Sequence, residues 1–256
     1  MIEQTFRNLT RRIPQQITVL NTQRYLQYST SPNLFYNTVS EPTLPKDLFE
    51  NLYQKNTSII LKKLNDHLDI DVQSTLLNLL EREPSAYNCK YDVFECVNKN
   101  TIEQDDISRQ LRIDFKIIDH KIILYKSKKF NSLTPSDKAL SKAEEAVFKS
   151  LLTLAWGEQP NNIKGKFVIR EMTFDKSTPS YSTSFHQDGA DRILILPIRS
   201  ENLDVETIFI HNDQEIVRKN NVFTLASDQS HCVNTSLKKD ASNGIRTTVV
   251  IGLTKY

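Results

Sequence analysis

From residue 166 to residue 256 the sequence reads as one short β-strand after another, with no helical segment between the strands. Each apolar stretch is bounded by polar or turn-forming residues, and this spacing is typical of an antiparallel sandwich or barrel. Pro197 is expected at the end of its strand, where a missing N–H is tolerated. The predicted strands cover residues 166–174, 192–198, 205–211, 221–226 and 246–253.

The predicted helices lie before residue 166. Apolar residues recur at helical spacing in residues 46–68, 72–80 and 134–156. For the third helix, Thr134 is the expected N-cap and Pro135 suits the first helical position. In the first helix the apolar face is expected to contain Leu48, Leu52, Ile59, Ile60 and Leu64.

A β-hairpin is predicted between the second and third helices. Residues 112–118 alternate between apolar and polar side chains, Asp119 and His120 follow as a candidate turn, and residues 121–125 resume the strand.

The length of 256 residues, with 38% hydrophobic and 25% charged residues, fits one folded domain with a sizeable core. We therefore expect a single domain over residues 1–256, without a linker or an internal repeat. Residues 1–110 would be mostly helical or irregular support. Residues 111–256 would form the β-core, with one long helix near residues 135–156.

The composition argues against several classes of partner. The formal charge of +2 gives no basic bias of the kind that nucleic-acid binding requires, and no run of about 18 apolar residues predicts a membrane span. The three cysteines include no CxxC pair and do not form a disulfide framework, and the first residues lack the apolar segment of a secretory signal. We expect a cytoplasmic protein.

Candidate metal ligands begin with His186 and Asp188, which follow a polar loop. In an extended segment, residues two apart point to the same face, so the imidazole and the carboxylate converge while Gln187 points away. A surface-loop histidine and a turn aspartate give the same triplet by chance, so the triplet alone does not identify a site. A second histidine, His231, follows 45 residues after His186.

Two histidines and one carboxylate on one face of a metal leave three coordination positions open. Non-haem iron(II) oxygenases use this arrangement to admit a chelating co-substrate and O₂.

A candidate carboxylate site lies on the last predicted strand. Arg246 and Thr248 share a face with Val250 and Gly252, so a guanidinium fork lies beside a hydroxyl donor. An ordinary strand-end arginine in water explains Arg246 equally well.

Arg170 shares a strand face with the apolar residues Val168, Met172 and Phe174. An inward arginine among apolar neighbours needs an anionic partner. A substrate carboxylate and a structural aspartate or glutamate both meet that need. The other histidines are not candidates, since His120 and His211 fall at predicted turns and His67 ends a helix.

The segments HQDGADRILILPI, IRSENLDVETIFIHNDQE, DQSHCVN and GIRTTVVIGL resemble, in order and spacing, the bacterial 2-oxoglutarate/iron dioxygenases typified by L-isoleucine 4-hydroxylase. The resemblance covers residues 166–256. It implies a mainly β fold with some α: a double-stranded β-helix (jelly-roll, cupin-like) core with supporting helices.

The resemblance also implies a set of site residues. Fe(II) would be held by His186, Asp188 and His231, and 2-oxoglutarate would chelate the metal with its far carboxylate on Arg246 beside Thr248. With O₂, such an enzyme hydroxylates a small molecule, here a free amino acid or a derivative.

Two other functions remain open from the sequence. A His/Asp/His set also suits zinc or manganese in a cupin-like hydrolase or isomerase, and a non-catalytic binding module is the third possibility. Ligating histidines usually need an acceptor on their other ring nitrogen, for which Asp191 near His186 and Asp228 near His231 are candidates.

Overall fold

The computed structural model describes residues 44–45, 48, 56–82, 108–125, 140–157, 160–211, 214–219, 222–226 and 229–256. The helices of this part of the chain are α1 (Thr57–Leu68), α2 (Val72–Arg82) and α3 (Lys142–Trp156). Its strands are β1 (Ser108–Ile118), β2 (Lys121–Tyr125), β3 (Ile163–Asp175), β4 (Ser180–Ser182), β5 (Arg192–Glu201), β6 (Leu203–His211), β7 (Gln214–Arg218), β8 (Phe223–Ala226), β9 (His231–Leu237) and β10 (Asn243–Lys255).

The strands form two antiparallel sheets. The larger sheet has the order β2-β1-β3-β10-β5-β8, and the smaller sheet has the order β4-β9-β6-β7. Met172 and Phe174 from the larger sheet pack against Leu203, Val205 and Val233 from the smaller one, so the two sheets enclose a common interior. The eight strands β3 to β10 form a double-stranded β-helix, and the hairpin of β1 and β2 extends its larger sheet, which confirms the predicted fold class.

The helices cover the opposite face of the larger sheet. The ring of Phe148 on α3 makes edge contacts with Phe115 on β1 and Phe167 on β3, at centroid distances of 5.3 and 4.8 Å. Val249 and Ile251 on β10 belong to the same apolar cluster. The apolar core on this outer face stabilises the larger sheet. Its inner face can therefore carry the polar residues of a site.

Alternation assigns the side chains of β3 and β10 to the two faces as predicted. Val249 and Ile251 pack with the helices, whereas Val250 packs inside with Val168. Arg246 and Thr248 therefore face the interior, and so does Arg170, since its partner across the strands is Thr248.

The predicted hairpin is confirmed, with β1 and β2 paired up to Ile118 and Lys121. Asp119 and His120 adopt left-handed backbone angles, with φ of 49° and 59°. Positive φ at both central residues characterises the tight turn whose twist matches a hairpin.

The predicted helix over residues 134–156 is wrong at its start, because Leu140 and Ser141 are not helical and α3 begins at Lys142. Ser141 and Glu144 form a capping box, and these two reciprocal hydrogen bonds fix the N-terminus at this point. Thr134 and Pro135, the predicted cap and first position, lie outside the described residues.

The predicted helix over residues 46–68 is interrupted at Asn56, whose side chain accepts a hydrogen bond from the backbone N–H of Ser58 and caps α1. Ile59, placed on the apolar face by the sequence, is 47% exposed, while Ile60 and Leu64 are buried. Leu52 lies outside the described residues.

Pro197 does not end its strand, because β5 continues to Glu201. The pairing of β5 with β10 shifts register between Thr247 and Thr248, which are opposite Arg199 and Pro197, so Ile198 is an extra residue. A β-bulge of this kind accommodates a proline that cannot donate to the ladder.

Gly165 on β3 lies at a closely packed position of the larger sheet. A Cβ at this position would lie 2.5 Å from the ring of Phe115 and 2.8 Å from the backbone oxygen of Gly252. We expect Gly165→Ala to lower the free energy of unfolding by about 1–3 kcal/mol in urea denaturation, because the core must shift to admit a methyl group. Lys164→Ala, at an exposed position of the same strand, is the control, and equal stability of the two variants would contradict this packing.

Candidate metal and carboxylate site

His186 and His231 are joined through their backbones. The N–H of each donates to the carbonyl oxygen of the other, both at 3.0 Å, and this antiparallel bridge precedes β5 and opens β9. The two imidazole rings lie 4.3 Å apart between centroids. Two histidines 45 residues apart in sequence thus share one side of the smaller sheet.

The carboxylate of Asp188 is equally close to the two rings. Its Oδ1 is 3.6 Å from Nε2 of His186, and its Oδ2 is 3.6 Å from Nε2 of His231. The three candidate ligand atoms lie within 4.8 Å of one another. Gln187 points away, with its side-chain Nε2 3.4 Å from Oγ of Ser230.

Nε2 of each ring faces the carboxylate of Asp188 and is the nitrogen available to a metal. Nδ1 of His186 lies 2.8 Å from the carbonyl oxygen of Ser184, which can only accept, so the tautomer with its proton on Nδ1 fits this contact and leaves the lone pair of Nε2 for a metal. Burial, followed by the charge of His186, lowers the pKa of His231 from 6.5 to about 3, so the ring is neutral at physiological pH.

Of the two ring nitrogens that point away from the candidate metal position, Nδ1 of His186 has a hydrogen-bond partner and Nδ1 of His231 has none among the described residues. Asp191 does not serve His186, because Ser184 holds that position and Oδ2 of Asp191 accepts from the backbone N–H of Lys255. Nδ1 of His231 has no hydrogen-bond partner in the described part of the chain. The nearby backbone of Gln229 raises the pKa of His231 and so acts against the effect of burial, but it does not form a hydrogen bond with Nδ1. Asp228 lies outside the described residues.

The remaining histidines lie away from this group. His120 is exposed in the β1–β2 turn and His67 is in the last turn of α1. His211 ends β6, where the structure describes its backbone alone. Among the described residues, His186, Asp188 and His231 form a group that could hold a metal ion, and a set of two imidazoles and one carboxylate fits iron(II).

Arg246 is buried in the interior, only 6% exposed, and no described carboxylate forms an ion pair with it. Burial, followed by the charge of Arg170, lowers the pKa of Arg246 from 12.5 to about 10, so the guanidinium remains protonated at neutral pH. Thr248, the other candidate for this site, is 7% exposed on the same face. A buried cation of this kind is suited to an anionic ligand.

Arg170 lies beside the Arg246 site. Its guanidinium carbon is 5.8 Å from the ring centroid of Tyr181 on β4, and its charge influences Arg246. Gln110 on β1 and Thr248 on β10 flank Arg170 in the larger sheet, so these three polar residues form one row on the inner face.

Sequence reasoning missed three further polar residues of this interior: Tyr181, Ser200 and Thr235. Their segments are short or polar and lack the alternation that marks a strand. Ser200 faces inward because of the bulge in β5. In the sequence, Pro197 is the one sign of that bulge.

No family model matches the chain, and no curated protein matches its sequence. Among solved structures, IDO from Bacillus thuringiensis is similar, with a TM-score of 0.51 and 13% identity over 79% of this chain and 92% of that one. A bsmA homolog from Methylobium petroleophilum (TM-score 0.48, 13% identity, 76% and 86%) and the Fe(II)/α-ketoglutarate-dependent dioxygenase TqaL (0.44, 8%, 81% and 91%) also match. The likeness to the first of these structures is one of fold.

None of the described helices is long and apolar enough to span a membrane.

Metal affinity tests the convergence of the three ligands. We expect the protein to bind one iron(II) under anaerobic conditions and Asp188→Ala to weaken that binding by at least about 100-fold, since loss of an outer partner alone costs 10–100-fold. His120→Ala, which removes an exposed histidine, should bind iron as the wild-type protein does. Equal affinity of all three proteins would contradict the site.

Proposed function

We propose that this protein is an Fe(II)- and 2-oxoglutarate-dependent dioxygenase that hydroxylates a C–H bond of a small substrate, a free amino acid or a derivative of one. The observation that carries the proposal is the convergence of His186, Asp188 and His231 inside a double-stranded β-helix. The buried guanidinium of Arg246 on the facing sheet supports it.

His186, Asp188 and His231 would hold the metal through Nε2, a carboxylate oxygen and Nε2. Three protein ligands leave positions for a chelating co-substrate and O₂. When bound, iron(II) and 2-oxoglutarate would supply, with O₂ as the oxidant, the chemistry that turns a C–H bond into an alcohol: one oxygen atom of O₂ would enter the substrate, the other would enter succinate, and CO₂ would be released. The chain contributes the neutral ligand nitrogens and an interior from which bulk water is excluded.

Arg246 and Thr248 would orient the co-substrate by holding its far carboxylate. The guanidinium offers two parallel donors to a carboxylate and Thr248 offers a hydroxyl. Because Arg246 is fixed on β10 of the larger sheet and His231 on β9 of the smaller sheet, the co-substrate would lie between the two sheets.

Arg170 would bind the carboxylate of the substrate. It lies on the inner face one row along from Arg246, and Gln110 in the same row supplies an amide. A carboxylate held there would orient an amino acid in the interior that contains the metal ligands.

The donor set also suits zinc, so a metal-dependent hydrolase or isomerase on the same fold is the second candidate. Anaerobic addition of 2-oxoglutarate to the iron-loaded protein separates the two. A weak visible charge-transfer band supports the dioxygenase, and its absence favours the hydrolase.

Turnover of 2-oxoglutarate tests the metal ligands directly. We expect iron-dependent succinate release to increase in the presence of one or more free amino acids, and to disappear in His186→Ala, because the metal loses a ligand. Circular dichroism should show that the variant is folded. Wild-type rates of succinate release in His186→Ala would defeat the assignment.

Replacement of Arg246 tests the co-substrate site. We expect Arg246→Ala to raise the apparent KM for 2-oxoglutarate by about 100-fold or more, because a buried carboxylate would lose its charged partner, a change worth roughly 3–5 kcal/mol. Arg199→Ala removes an arginine paired with Glu201 on the outer side of β5 and is the control. An unchanged KM in Arg246→Ala would place the anchor elsewhere.

A further inference from the structure

Two buried hydroxyl groups share the interior with Arg246. Ser200 on β5 is the direct cross-strand partner of Arg246 on β10, and Thr235 on β9 lies opposite Tyr181 on β4. In the described part of the chain, Oγ of Ser200, Oγ1 of Thr235 and Nε of Arg246 are buried without a hydrogen-bond partner. Thr235 is only 2% exposed.

Thr235 and Arg246 belong to different sheets but face the same interior. Met172, the cross-strand partner of Arg246 on β3, packs with Val205 and Val233, which are neighbours of Thr235. Tyr181, directly opposite Thr235, is close enough to Arg246 to oppose the burial that lowers the pKa of its guanidinium. One cationic donor and two neutral donors therefore face the same interior.

The orientation of Ser200 depends on the bulge at Ile198. Before the bulge, Ile193 and Ile195 face the interior, and regular alternation would next turn Arg199 inward. The extra residue reverses the alternation, so Ser200 faces Arg246 while Arg199 turns outward.

A helix residue holds this bulge. The side-chain amide Nε2 of Gln73 on α2 donates a hydrogen bond of 2.6 Å to the carbonyl oxygen of Ile198. The contact spans 125 positions in the sequence and ties the helical layer to the residue that sets the direction of Ser200.

We propose that Ser200 and Thr235 complete a carboxylate-binding site with Arg246, and that Gln73 is its positioning residue. Buried donors without partners are costly, and a carboxylate with about four lone-pair positions matches a guanidinium fork and two hydroxyls. The site takes one end of a dicarboxylate and joins the two sheets through it. That the ligand is the 2-oxoglutarate of the metal site rests on the proposed function.

Calorimetric titration of the metal-free protein with glutarate, which lacks the chelating oxo group, tests the site without the metal. We expect Ser200→Ala and Thr235→Val each to weaken binding about tenfold, because each removes a hydrogen bond to a charged group. Thr235→Ser, which keeps the hydroxyl, should stay within about threefold of the wild-type protein.

Thr247→Val is the matched control, because its hydroxyl lies on the opposite face of β10, bonded to Glu171 at 3.2 Å. It should leave glutarate affinity unchanged. Equal affinities for wild-type, Ser200→Ala and Thr235→Val proteins, or no binding of glutarate to the wild-type protein, would overturn the proposal. Thermal unfolding of each variant checks that it is folded.

A double-variant cycle tests Gln73 as a positioning residue. We expect Gln73→Ala to weaken glutarate binding in the wild-type background and to have little further effect in the Ser200→Ala background, since both act through one hydroxyl. Losses that simply add would overturn this role. If the affinities depend on Ser200 and Thr235 but the iron-loaded protein shows no charge-transfer band with 2-oxoglutarate, the carboxylate site stands and the proposed function fails.

Discussion

The backbone bridge between His186 and His231 is the contact on which the candidate site depends. Its two hydrogen bonds of 3.0 Å set the segment before β5 against the first residue of β9, so both imidazoles project to one side. Asp188, two residues further along, then reaches both rings with different oxygens. Without this register, alternation would turn one ring out of the group.

The two faces of the larger sheet have different roles in forming the candidate site. The outer face is covered by helices and carries the main apolar core. That core stabilises the sheet from one side, so the inner face can hold Arg170, Arg246 and Thr248. Buried cations are costly to a fold unless something compensates them. For Arg246, an anionic ligand in the interior would provide that compensation and would account for the placement of this arginine.

The sequence predicted those parts of the fold that show strong local patterns. The strands containing Arg170 and Arg246 alternate clearly, and their faces could be assigned before the structure was known. The strands β4, β7 and β9 were not predicted, because Ser180–Ser182, Gln214–Arg218 and His231–Leu237 are mostly polar. The approach of His231 to His186 therefore results from the pairing of distant segments. The resemblance to the dioxygenase family suggested it, whereas the spacing of apolar residues did not. The start of α1 depends on the capping side chain of Asn56, and the start of α3 depends on the capping box of Ser141 and Glu144. Longer apolar patterns obscured both signals.

The most direct test of the central claim is anomalous diffraction at the iron edge from crystals grown anaerobically with iron(II). The account predicts a single strong peak about 2.0–2.2 Å from Nε2 of His186, Nε2 of His231 and one carboxylate oxygen of Asp188, distances usual for nitrogen and carboxylate ligands of such metals. A strong peak that touches none of these residues, or that reaches one histidine without the other, would contradict it.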